Sequence, residues 1–227
     1  MVLMSDLFVV IPSMYMKRKK ILDRLIKDLN VPFERIIVIR TIPGPKIKNV
    51  VNIFCDSELN IQKWWNLGID YGLAKGGRYF LILNDDCQLE GNQIRDMYDQ
   101  IKLSNSAIGI NLSEVEPGWG HCFMIDFLQG GYFDQKFSWW YGDFDYLKRI
   151  EKRGLRISIT NHDILNLDKD GSTRDNASIT KLVKNDYRTF RRKHKKEYIN
   201  YIKFNLSLNT IIRRLQKIFR IMAKGKV

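Results

Sequence analysis

Four short apolar runs, separated by stretches with helical periodicity, constrain this chain more than any other feature. They are DLFVVIPS (6–13), ERIIVIRT (34–41), NVVNIFCD (49–56) and RYFLILNDD (78–86). Continuous apolar runs of this length mark strands buried on both faces, because a half-exposed strand alternates. Between them, KRKKILDRLIKDLN carries Ile21, Leu22, Leu25, Ile26 and Leu29 at helical spacing. NIQKWWNLGIDYGLAKGG (60–77) reads as a helix stopped by Gly76 and Gly77, and GNQIRDMYDQIKLS (91–104) as another. The order βαββαβα predicts an α/β fold with a mostly parallel sheet flanked by helices.

Ligands of such sheets bind beyond the carboxyl ends of the strands. Pro12-Ser13, Arg40-Thr41, Asp56 and Asn84-Asp85-Asp86 all fall at expected strand ends. A turn explains each of these separately, since Asn and Asp favour strand ends. It explains all four together less well. After residue 105 the texture changes. SAIGINL reads as a short strand, LRISITNHDIL (155–165) as a further one, and the segments between them are rich in glycine and aromatics.

The length of 227 residues fits one α/β domain with an appendage. No apolar run is long enough to span a bilayer. The N-terminus has no basic stretch ahead of its apolar residues, so no signal peptide is expected. Cys55, Cys87 and Cys122 are scattered, without a Cys-x-x-Cys pair, and read as reduced thiols in a cytoplasmic protein without a zinc site. Charge divides the chain sharply. Residues 181–227 hold 15 Lys and Arg against Asp186 and Glu197, which accounts for the whole net charge of +13. The segment LSLNTIIRRLQKIFRIMAKGK places Leu208, Ile211, Ile212, Leu215, Ile218, Phe219 and Met222 on one helical face, with Arg and Lys on the other. A basic helical C-terminal extension is expected, with an anionic partner, either DNA or a membrane surface. Its apolar face offers a surface for packing on the domain or for self-association.

Asp143 and Asp145, in WWYGDFDYLKRIEKRG, stand where a helix begins. One is expected to cap that helix. The other, beside Trp139 and Trp140, suits a general base for a hydroxyl.

Four segments in order carry a family resemblance over about residues 6–175. They are VVIPS, NIQKWWNLGID with its Asn66-x-Gly68, LNDD, and GGYFDQKFSWWYGDFDYLKRIEKRG. In these the chain resembles nucleotide-sugar glycosyltransferases of the GT-A fold, family 2, including small members found in bacteriophage genomes. The resemblance implies a catalytic domain over 1–178, with a nucleotide-sugar half (1–104) and an acceptor half (105–178), followed by the basic tail (179–227). LNDD looks like the family's Asp-x-Asp metal motif. Asp86 is then the metal ligand for Mn²⁺ or Mg²⁺, with His162 approaching the metal or diphosphate. Pro12, Ser13, Arg40, Thr41, Asp56, Asn66, Asn84 and Asp85 are implied around a nucleotide-diphosphate sugar, a UDP-sugar in the first instance. Asp143 matches the catalytic base, and Trp119, Trp139 and Trp140 become acceptor candidates, with His121 in the acceptor wall or in packing. Three positions depart from the pattern. Asn84 replaces an Asp, Gly142 replaces the Glu before the base, and Arg40-Thr41 stand where the family has a uracil-binding Asp.

The implied reaction is an inverting transfer to an acceptor hydroxyl. That hydroxyl belongs either to a hydroxymethylated base in phage DNA or to a lipid-linked or surface glycan. The expected location is the cytoplasm, of the host for a phage protein, or the inner membrane face. Two rivals remain open at this point. A non-catalytic nucleic-acid-binding protein needs the basic patch but not the carboxylates. A nucleotidyltransferase pairs acids with Mg²⁺ but wants a glycine-rich loop after the first strand, and IPSMYMKRKK has no glycine.

Overall fold

The computed structural model describes residues 4–13, 15–56, 58–111, 122–160, 162, 164–167 and 177–195. Trp119, His121 and the amphipathic stretch from 205 onward lie outside them. The strands are β1 Leu7–Ser13, β2 Ile36–Arg40, β3 Val51–Phe54, β4 Tyr79–Leu83, β5 Cys87–Gln88, β6 Ile108–Asn111, β7 Cys122–Asp126, β8 Ile157–Thr160 and β9 Leu165–Asn166. The helices are α1 Tyr15–Asp28, α2 Ile61–Leu73, α3 Gly91–Leu103, α4 Phe127–Gly130, α5 Gly142–Lys152 and α6 Ala177–Lys193, with a 3₁₀ turn at Phe33–Arg35.

Seven strands form the main sheet in the order β3-β2-β1-β4-β7-β6-β8. The β1, β2, β3 and β4 pairings are parallel, and so is β6 with β8; β7 runs antiparallel to both β4 and β6. A compact unit extends to Asp186, and a second begins at Tyr187.

β1, β2, β4 and β7 form because each supplies both faces of the sheet with buried apolar side chains, whereas β3, at the edge of the sheet, is only half-buried and leaves Phe54 exposed. Along β1, Leu7, Val9 and Ile11 enter one core with α1 and α3, while Phe8 and Val10 enter the other with α2 and α5. The stripe of α1 behaves as its spacing predicts, with Leu22, Leu25, Ile26 and Leu29 buried. The Ser13 carbonyl faces β2, where it accepts the Thr41 N–H, so the adjacent Pro12 faces β4, whose register ends at Val10. Its missing N–H therefore breaks no ladder.

Two expectations change. CFMID, read only as part of an aromatic-rich stretch, forms β7, with all five residues buried. The expected strand over 155–165 is two strands. After Thr160 the chain leaves the main sheet, and Leu165-Asn166 pair with Cys87-Gln88 instead.

Helix α2 lies unusually close to the sheet. A Cβ at Gly68 would sit 2.4 Å from Val10 Cγ1, and one at Gly72 would sit 2.5 Å from Phe80 Cε1. Its central motif is thus a packing device. Gly68→Ala gains up to about 1 kcal/mol of helix propensity, but overpacking a tight contact costs about 1–3 kcal/mol. We expect the second effect to win, lowering the urea midpoint of unfolding; an unchanged or raised midpoint would show that β1 yields.

Candidate active site

The carboxyl end of β4 runs into a tight turn, closed by the Cys87 N–H on the Asn84 carbonyl at 3.4 Å. The turn reading is therefore correct, but it is only half the account. Asp85 and Asp86 are both about 4% exposed. Ser13 Oγ, at the end of β1, donates to Asp85 Oδ2 at 2.6 Å. Arg18 Nη1 reaches Asp85 Oδ1 at 2.6 Å and Asp86 Oδ2 at 3.0 Å. One guanidinium thus offsets part of the charge of two adjacent carboxylates that burial has removed from water. Arg18 sits at a break in α1, with φ −123° and ψ 19°.

The oxygen-only pair fits a hard divalent cation. Mg²⁺ typically takes one or two carboxylates and fills its remaining positions with water and phosphate. Among the described residues no cluster of three or more His, Cys, Asp or Glu gathers, and the carboxylates at the end of β4 are Asp85 and Asp86. His162 lies just past β8. The β9 strand that follows is tied to this turn by its pairing with β5 and by the Leu167 N–H on the Asp86 carbonyl at 2.7 Å. The loop carrying His162 therefore returns to the acidic turn.

Asp143 reaches the same rim by a different route. Helix α2 starts at the carboxyl end of the parallel strand β3, and α5 packs its first residue there. A Cβ on Gly142 would meet the Gln62 amide carbon at 2.2 Å, and the Ile61 N–H bonds the Ser138 carbonyl at 2.7 Å. Glycine at 142 leaves room for Gln62, whose Oε1 is buried without a hydrogen-bond partner among the described residues. Asp143 is 8% exposed, and its Oδ1 accepts the Phe144 N–H at 2.9 Å. Neither acid is the expected N-cap. That position falls to Tyr141, in the left-handed region at φ 66°, a conformation costly for a bulky residue. Asp145, fully buried, pairs with Arg149 at 3.1 Å instead.

Several expected donor residues turn out to hold the frame. Asn66, 3% exposed, gives Nδ2 to the Phe133 carbonyl and takes the Phe133 N–H on Oδ1, both at 3.0 Å. Both ends of the amide are spent on one backbone residue, which gives Asn66 a structural role at the loop before α5. Arg40 Nη1 binds the Gly44 and Pro45 carbonyls at 2.6 and 3.3 Å, so its head clips the loop after β2. Thr41 ties β2 to β1 through the Ser13 carbonyl. Pro12 is strand interior. Asp56 is exposed and Asn84 half-buried at their strand ends. Trp139, half-buried, packs edge-on against Trp64 at 6.0 Å beside the core, and Trp140 is 48% exposed.

Composition alone gave no hint of Asp186. On α6 it is 1% exposed, and it accepts the N–H groups of Ser138, Trp139 and Trp140 at 2.9, 2.7 and 3.0 Å. It fixes the loop that leads through Tyr141 to Asp143. One of two acids among the bases of residues 181–227 was the available signal. Burial raises its carboxyl above the ordinary range, and the three N–H donors oppose that rise. With the folded value above the unfolded one, the folded chain binds more protons between them, so stability from this group falls as pH rises through that window. Asp186→Asn, which does not ionise, should flatten that slope in urea titrations across acidic pH; an unchanged slope would assign it to other carboxyls.

No family model matches the sequence, and no curated protein matches it. Solved structures do. TarS 1–349 from S. aureus superposes with a TM-score of 0.52 at 12% identity, over 70% of this chain and 58% of that one. Full-length TarS gives 0.53 at 12%, over 70% and 35%. TarS 1–349 in complex with UDP gives 0.52 at 11%, over 70% and 58%. This chain thus spans less than two thirds of the TarS chains it matches. At such identities the likeness speaks to architecture, and the architecture is a GT-A-like, Rossmann-type α/β fold.

Proposed function

We propose that this chain is a metal-dependent, inverting glycosyltransferase using a nucleotide-diphosphate sugar. The observation that carries the reading is a buried carboxylate pair at the end of β4, with Asp143 at the head of α5 on the same rim. The UDP complex of TarS, whose fold this chain shares, supports a UDP-sugar as donor.

Asp143 takes the proton of the acceptor hydroxyl. The freed oxygen attacks the anomeric carbon as the bond to the diphosphate oxygen breaks, and a single displacement inverts that centre. When bound, Mn²⁺ or Mg²⁺ on Asp86 and Asp85 supplies positive charge for the leaving diphosphate. The rigid Asp186 clasp and the core packing of Trp139 orient the loop before Asp143, so the base does not have to be ordered at each turnover. Trp140 offers an exposed ring face for a sugar or base of the acceptor.

The basic tail accounts for an acceptor with anionic surroundings, either a hydroxymethylated base in DNA or a lipid-linked glycan at a membrane. Among the described residues no helix is long and apolar enough to cross a membrane. A truncation that tests the tail has to keep α6, because Asp186 belongs to the catalytic frame. Removing residues 196–227 should abolish salt-sensitive DNA binding if the acceptor is DNA, and liposome binding if it is a glycolipid.

Asp143→Asn should lower transfer by about 10²–10⁴-fold, the usual share of a general base, with UDP-sugar affinity by calorimetry nearly unchanged. EDTA should stop turnover of the unaltered protein, and Mn²⁺ should restore it. Full transfer by Asp143→Asn would remove the base assignment. Absence of any nucleotide-sugar binding would remove the enzyme reading.

A further inference from the structure

We propose that Arg18 is a displaceable counter-cation of the carboxylate pair and becomes a diphosphate-binding residue once a divalent ion arrives. The inference rests on the reading of this rim as a nucleotide-diphosphate site. It starts from the two contacts of a single guanidinium nitrogen, 2.6 Å to Asp85 and 3.0 Å to Asp86. Those carboxylates are the ones a metal would use. Mg²⁺ binds oxygen at about 2.1 Å, so an ion on Asp86 would stand beside the guanidinium. Two cations at that range repel strongly where water is scarce. Arg18 and the metal therefore compete for the same negative charge.

The surroundings give Arg18 a way to move. Its side chain is 16% exposed against 6% for each carboxylate, so it covers the pair on the solvent side, where a ligand enters. Its backbone breaks the helical geometry of α1, so the head of the helix is not locked to the ladder behind it. Ser13 remains on Asp85 Oδ2 whether or not Arg18 leaves, and it keeps the pair oriented. A guanidinium released next to an incoming diphosphate finds a ligand that suits its fork geometry. Arg18 offsets part of the charge of the acids before binding, and afterwards the metal takes the acids while Arg18 shares the phosphates.

The same arrangement predicts order in binding. Metal alone has to expel Arg18 without giving it another partner, so it binds weakly. Metal with nucleotide supplies that partner, and the two ligands assist each other.

The test compares the full-length protein with Arg18→Gln and Arg18→Lys, each checked for an intact unfolding transition. Mn²⁺ binding without nucleotide is read by electron paramagnetic resonance, and UDP binding at saturating Mn²⁺ by calorimetry. Arg18→Gln should bind Mn²⁺ about tenfold tighter and UDP about tenfold weaker, a coupling of ordinary size for two linked ligands. Arg18→Lys, which keeps the charge without the fork, should hold Mn²⁺ affinity near the unaltered value while recovering only part of the UDP affinity. Equal or weaker Mn²⁺ binding by Arg18→Gln overturns the proposal, as does the absence of Mn²⁺ binding in all three proteins. The two readings fail separately. Both shifts in a protein that transfers no sugar would remove the glycosyltransferase and leave Arg18 its role. Sugar transfer with Mn²⁺ affinity indifferent to Arg18 would do the reverse.

Discussion

Two neighbouring carboxylates withdrawn from water demand positive charge close by, and that demand organises this molecule. Asp85 and Asp86 follow a strand that is buried from end to end, so the turn that carries them is drawn into the sheet's edge. The desolvation of two such ions costs several kcal/mol each unless a cation and hydrogen bonds offset it. Arg18 and Ser13 offset it here, from the first helix and the first strand. The acids of β4 are thereby joined to β1 and α1, at the end of the sheet where an α/β fold leaves its crevice.

A second constraint is steric. Helix α2 lies against β1 and β4 at glycine distance, and Asn66 clasps the backbone of Phe133 on the other side. The helix thus fixes the spacing between the sheet and the loop that leads to α5. Gly142 then lets the head of α5 seat against Gln62. Asp186 closes the frame from α6 by gathering three amide hydrogens of residues 138–140. The strained Tyr141 lies between this clasp and Asp143, which is where backbone strain accompanies function elsewhere. Asp143 thus stands at the end of a frame built by Gln62, Gly142 and Asp186.

Much of the architecture was legible in the residues. The runs of β1, β2 and β4 and the stripes of α1, α2 and α3 announce themselves because burial on two faces, or on one helical face, leaves its mark in the order of apolar residues; β3 shows the same composition at a half-buried edge. CFMID escaped because a five-residue run among aromatics has no period of its own, and its antiparallel direction depends on which strands it finds as neighbours. The contacts of Asn66 with Phe133 and of Trp139 with Trp64 were not legible for a related reason. An amide or an indole has the same letter whether it meets a ligand or a backbone, and only its neighbours distinguish the two.

The sequence by itself determined that a mostly parallel sheet forms, that its polar residues collect at strand ends, and that the excess positive charge lies in the last segment. These are consequences of local order along the chain, where the spacing of apolar and charged groups is the physical cause. Tertiary structure alone decided which cation holds the acids, which tail acid braces the loop before Asp143, and which motif residues carry the frame. Arg18 lies 67 positions from Asp85, and Asp186 lies 46 to 48 from the amides it gathers. Contacts at such separations arise from packing many elements at once, and no periodicity in the chain encodes them.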